Sequence, residues 1–99
     1  MAQAEEEQRS NRVIISVLGL DRVGIIAPVA SILAENNINI LDISQTTLQE
    51  YFAMVLIADL GKSSIDLDTL KEKLIEKGEQ LGVRIDAQHE NVFNFMHRI

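Results

Sequence analysis

The chain has no cysteine in its 99 residues. That single absence excludes a disulfide scaffold, a thiolate metal site and a cysteine nucleophile. Tryptophan is missing too, and only four aromatics occur, Tyr51, Phe52, Phe93 and Phe95. Any core is therefore built mainly from Ile, Leu, Val and Ala. Cations are scarce: nine basic residues face fifteen acidic ones, for a net charge of −6. A nucleic-acid binder needs cations to displace counterions from phosphate, so direct contact with nucleic acid is not expected. No apolar run approaches the ~18 residues of a membrane span. The longest, Phe52 to Ala58, has the length of a buried strand. No secretory leader pattern opens the sequence, so a cytoplasmic location without membrane attachment is the expectation.

What is present suffices for one domain, with 46% apolar residues. Residues 1–11, MAQAEEEQRSN, carry three consecutive glutamates and no apolar period, and read as a disordered acidic tail. A folded domain is expected over 12–89. Arg12 to Leu18 is apolar on both alternate sets, as a strand covered on two faces would be. Ile25, Ile26, Val29, Ala30, Ile32 and Leu33 then follow helical spacing, with Pro28 tolerable in a first turn. Asn36-Asn37 stops that helix. Ile38 to Leu48 mixes polar and apolar residues on both alternate sets, which suits an edge strand, and Tyr51 to Leu60 is again doubly apolar. The short Gln49-Glu50 turn makes these two an antiparallel hairpin. Asp66 reads as an N-cap, and Leu67, Leu70, Leu74 and Leu81 form a core stripe with Gly78 in the intervening position. Gly78 is expected to allow close helix-to-sheet approach, and Gly82 to form a left-handed C-cap. Val83 to Gln88 alternates, as a half-exposed edge strand does.

The order β-α-β-β-α-β, with the first and third strands doubly apolar, predicts an α+β ferredoxin-like fold. Its antiparallel sheet has order 4-1-3-2, with both helices on one face. The central strands then carry apolar residues on the uncovered face as well. Two covers are foreseen. One is a short C-terminal helix over 90–99, where Val92, Phe95, Met96 and Ile99 form a stripe beside Phe93. The other is a second copy of the chain. A homodimer or higher homo-oligomer using Val92, Phe93, Phe95 and Met96 is the expectation.

Gly19-Leu20-Asp21-Arg22-Val23-Gly24 joins the first strand to the first helix. It matches G-x-x-x-x-G superficially, but Ile25-Ile26 stands where a phosphate-binding loop needs Lys and Ser/Thr, so nucleotide hydrolysis is rejected. A helix N-terminus still offers unpaired amides to a carboxylate. Asp21 and Arg22 suit the amine and carboxylate of an amino acid. Equally, Asp21 can cap the helix while Arg22 is solvated. Asp42, Ser44 and Thr46 share one face of the second strand and Gln45 the other; they line an interface or simply keep a hydrophilic edge. His89 and His97 lack the converging ligands of a zinc site, and no Ser or Thr has a motif that sets a base beside it. No cofactor is implied, and catalysis is not expected.

The run Asp21-Arg22-x-Gly24-Ile25 after an apolar strand, then Ala27, Val29, Leu33-Ala34-Glu35 and Asn37-x-Asn39-Ile40, resembles the ACT-domain signature. Asp42-Ile43-Ser44-Gln45-Thr46 with Glu50-Tyr51-Phe52-x-Met54 is similar to free-standing ACT proteins related to the glycine cleavage repressor and formyltetrahydrofolate deformylase. The resemblance spans Arg12 to Ile99. It implies a regulatory domain that binds small ligands, often amino acids, between copies. The binding loop then corresponds to Asp21, Arg22, Val23, Gly24 and Ile25, and a second segment to Asn39 and Ile40. Val23 stands where many members have Pro. The resemblance also admits an alternative, an interaction module that binds a protein such as a transcription regulator and senses no ligand.

Overall fold

The computed structural model describes residues 11–20 and 24–96, with the side chains of Leu48, Phe95 and Met96 left aside. The acidic tail over 1–10, the loop residues Asp21, Arg22 and Val23, and His97 to Ile99 lie outside the described residues.

The elements follow the expected order: β1 (Arg12–Gly19), α1 (Ile26–Glu35), β2 (Asn39–Leu48), β3 (Tyr51–Asp59), α2 (Leu67–Leu81), β4 (Arg84–His89) and α3 (Glu90–Met96). The sheet order is β2-β3-β1-β4, all neighbours antiparallel. The two doubly apolar strands are central, as their composition demands. Val13, Ile15 and Val17 of β1 pair with Ala58, Leu56 and Met54 of β3 on the face that α1 and α2 cover, and all six are buried. Burying each large aliphatic side chain contributes about 1.5–3 kcal/mol, so this layer supplies most of the stability. Among the described residues, no helix is long and apolar enough to cross a membrane.

The helix ends follow from local chemistry. Pro28 is the third residue of α1, where an amide has no intrahelical partner to lose. At the other end Asn37 takes a left-handed φ of 59°. Its amide donates to the Ala34 carbonyl at 3.1 Å, and the Ile38 amide to that of Leu33 at 2.9 Å. This is a Schellman closure, and its usual apolar contact is supplied by Ile38 and Leu33, both in the core. Helix α2 starts at Asp66, whose Oδ1 accepts from the Thr69 amide at 2.8 Å, and stops at Gly82 with φ 74°. Gly78 bears out the close-approach expectation: a Cβ there would lie 2.7 Å from the Val83 carbonyl oxygen and 3.2 Å from Ile85.

One expectation needs correction. Strict alternation along Ile38 to Leu48 puts Ile40 and Asp42 on one face of β2, and they do not share it. Leu41 forms a bulge, so Ile40 pairs with Ala58 and packs toward the core while Asp42 pairs with Ile57 on the opposite face. A bulge inserts one residue and inverts the alternation beyond it. In α3, Phe93 is half-buried, whereas Val92 is 51% exposed and stays available to a second copy. Helix α3 touches β1 and β4 on the face away from α1 and α2. There Ile14 is 7% exposed, whereas Leu18, Val55 and Tyr51 on that same face are 52%, 37% and 50% exposed. His89 caps α3, its Nδ1 accepting from the Asn91 amide at 3.1 Å.

Candidate functional site

The residues expected to meet one ligand divide between two ends of the sheet. Strands β1 and β2 both run antiparallel to β3, so they run parallel to each other, and the loop that leaves β1 is remote from the start of β2. The register fixes this: Gly19 pairs with Phe52, whereas Arg12 and Asn39 both pair with Asp59. Seven residues of strand separate the two rows, about 23 Å at about 3.3 Å per residue.

At the first end Gly24 has φ 78° with open space around its Cα, and Ile25 occupies the capping position of α1. Ile25 has no side chain that can accept from the first amides, and is itself 3% exposed in the core. It therefore offers a ligand its backbone amide only. Asp21, Arg22 and Val23 are outside the described residues. Gly19 belongs to the same end and packs so tightly on Val83 that a Cβ would come within 2.5 Å of its Cγ1.

At the second end Asn39 is exposed and Ile40 is partly buried against the core. Asn37, Asn39, Asp59 and Lys62, with Ala34 and Ile38, line a depression of about 520 Å³. Its walls are tied together. Asn37 Nδ2 donates to the Lys62 carbonyl at 2.8 Å, the Ser64 amide to the Asn36 carbonyl at 3.0 Å, and the Gly61 amide to Asp59 Oδ1 at 2.8 Å. Arg12, the cross-strand neighbour of Asp59, instead pairs through Nε with Glu90 Oε2 at 3.0 Å. Both of those atoms are shielded from solvent.

Of the expected interface residues, Asp42 and Gln45 are exposed on opposite faces of β2, Asp42 accepting from the Ile43 amide at 2.9 Å. Phe93 is half-buried against the sheet. Asp59 and Lys62 escaped the sequence reading. Asp59 closes an apolar strand and looks like a terminator. Only the hairpin register, offset by the Leu41 bulge, reveals that it adjoins Asn39.

A four-stranded βαββαβ sheet with this loop pattern defines a class, and the chain matches the ACT domain over residues 11–88. It belongs to the ACT domain family. Within it, the chain is a member of the UPF0237 proteins. It is 51% identical over 89 residues to a UPF0237 protein of Methanocaldococcus jannaschii, covering 90% of this chain and 99% of that one. A solved ACT domain protein from Streptococcus pneumoniae superposes with TM-score 0.73 at 38% identity, covering 83% of this chain and 92% of that chain. A structure assigned as a glycine cleavage system transcriptional repressor gives TM-score 0.70 at 19% identity, over 78% of this chain and 45% of that one, a likeness of fold alone.

Proposed function

We propose that this protein is a non-catalytic regulatory module that binds a small ligand, an amino acid, between two copies of itself. One observation carries the reading: the Gly24 turn and Asn39 stand at opposite ends of one sheet, too far apart for a small molecule to touch both. Two copies with their β2 edges side by side and antiparallel bring the start of one β2 to the end of the other. The turn of one copy then meets Asn39 of its partner. Strand β2 is an edge with backbone groups to share, and Leu41 and Ile43 on it are exposed, as is Ile26 on α1. The N-terminus of α1 suits a ligand carboxylate. Binding that closes two copies together reports as a change of interface geometry. The similarity to a relative matched over 99% of its own length supports a non-catalytic role.

Isothermal titration with each of the twenty amino acids tests the reading, alongside sedimentation velocity. Heat with at least one amino acid, lost in Asn39→Ala, and a dimer at micromolar concentration are expected. No heat at millimolar concentration with any of them sinks the ligand and favours an interaction module, which the exposed Leu18, Val55 and Tyr51 would serve. A monomer at every concentration removes the bridging geometry.

A further inference from the structure

We infer that Asp59 and Lys62 form a receptor for the head group of an α-amino acid, Asp59 taking the ammonium and Lys62 the carboxylate. The inference rests on the amino-acid reading above and names the groups that decide which molecules are accepted.

Opposite charges in one depression can pair with each other or hold a ligand between them. Here they do not pair: among the described residues, Asp59 and Lys62 line one depression with no ion pair between them, and neither pairs with any other side chain of opposite charge. The obvious neutraliser of Asp59 is Arg12, directly across the strand pair, and Arg12 is held by Glu90 instead. Asp59 Oδ1 accepts from the Gly61 amide at 2.8 Å, which orients the carboxylate at the rim of the depression. The Lys62 carbonyl accepts from the Asn37 side-chain amide, so the stem of this exposed lysine starts from an anchored point, and a lysine stem is long and flexible. Asn39 adds a neutral amide that can donate and accept. The depression also lies at the C-terminal end of α1, where the helix dipole places partial negative charge. That charge favours an ammonium beside Asp59 and disfavours a second carboxylate there.

A separated carboxylate and ammonium flanked by amides is the complement of a zwitterion. A simple carboxylic acid engages Lys62 alone and leaves Asp59 unmatched. An amine engages Asp59 and leaves Lys62. Each charge-assisted contact in such a site is stronger than a neutral hydrogen bond, so losing either is costly. The inference therefore predicts discrimination by head group, with the ligand carboxylate shared between Lys62 and the α1 N-terminus of the partner copy.

The test is titration of each of the twenty amino acids, and of the 2-hydroxy acid and the amide of whichever binds, into wild type, Asp59→Asn, Lys62→Met and Arg22→Ala. Asparagine keeps the acceptor for the Gly61 amide, and both replaced side chains are surface groups, so circular dichroism should be unchanged. Expected are a tenfold or greater loss of affinity in each of Asp59→Asn and Lys62→Met, with the hydroxy acid weak on wild type and no weaker on Asp59→Asn. An amino acid that binds wild type and both variants within twofold overturns the inference and leaves the broader reading intact, the more so when Arg22→Ala abolishes it. No binding to wild type overturns both.

Discussion

Strands β1 and β3 are apolar on both faces, yet the two faces have different fates. On the helix-covered side Val13, Ile15, Val17, Phe52, Met54, Leu56 and Ala58 are all essentially inaccessible. On the other side α3 shelters Ile14 and leaves Leu18, Tyr51 and Val55 substantially exposed. Composition alone does not produce burial; a covering layer does, and one short helix covers only one end of a four-stranded sheet. The sharpest way to break this contrast uses adjacent residues of β3. Leu56→Ala empties a filled core position and should cost about 2–5 kcal/mol, a large share of the about 5–15 kcal/mol available to a domain. Val55→Ala, one residue away on the open face, should cost less than about 0.5 kcal/mol in a monomer. Urea unfolding of both at low and high protein concentration checks this. A loss above about 1 kcal/mol for Val55→Ala that grows with concentration would mean that a second copy covers that face.

The covered side can be probed more finely at Gly78. Alanine is the better helix former by about 1 kcal/mol, so an exposed glycine would be improved by the change. Here the new methyl would lie 2.7 Å from the Val83 carbonyl oxygen, and a backbone atom cannot swing aside as a side chain can. Overpacking of that kind costs about 1–3 kcal/mol. Gly78→Ala should therefore lower the melting temperature, while Glu79→Ala, next in sequence and exposed, should leave it unchanged or slightly raised. A stabilised Gly78→Ala protein would show that α2 can move off the sheet at no cost, and that the covered face is looser than its burial suggests.

The legibility of these features in the sequence follows their range. Doubly apolar β1 and β3 could only be central, and the Leu stripe of α2 with Gly78 and Gly82 could only be a helix pressed on a sheet and closed by a left-handed cap; such patterns are local and periodic. Strict alternation groups Ile40 with Asp42 because nothing local announces the bulge at Leu41, which shows only in the register with β3. Val92 and Phe93 both read as interface residues, and a helix of seven residues does not say which of the two its own sheet takes. The expected ligand set, the Gly24 loop and Asn39, reads as lying between copies, and the sequence alone does not say from which copy each part comes. The parallel run of β1 and β2 separates them within one copy. Asp59 and Lys62 were illegible for a related reason: their proximity to Asn39 and Asn37 is a product of the hairpin register and of hydrogen bonds spanning 25 residues or more.

The smallest effect concerns how the covering layer is held at its margin. Asp66 caps α2 from a fully exposed position, and its hydrogen bonds to Thr69, first through the side chain and then through the backbone amide, hold its pKa below the ordinary 3.8. A carboxylate whose folded pKa is depressed stabilises the fold above the unfolded value, and that stabilisation is lost as pH falls through the folded one. Asp66→Asn retains a capping acceptor but cannot titrate. The wild-type melting temperature should exceed that of Asp66→Asn at pH 6, and the margin should shrink as pH is lowered below 3.8. A margin constant from pH 6 to pH 2.5 would remove Asp66 from the acid response. The seating of α2 would then rest on apolar contacts such as Leu70, Leu74 and Gly78, with no acid-sensitive contribution from this cap.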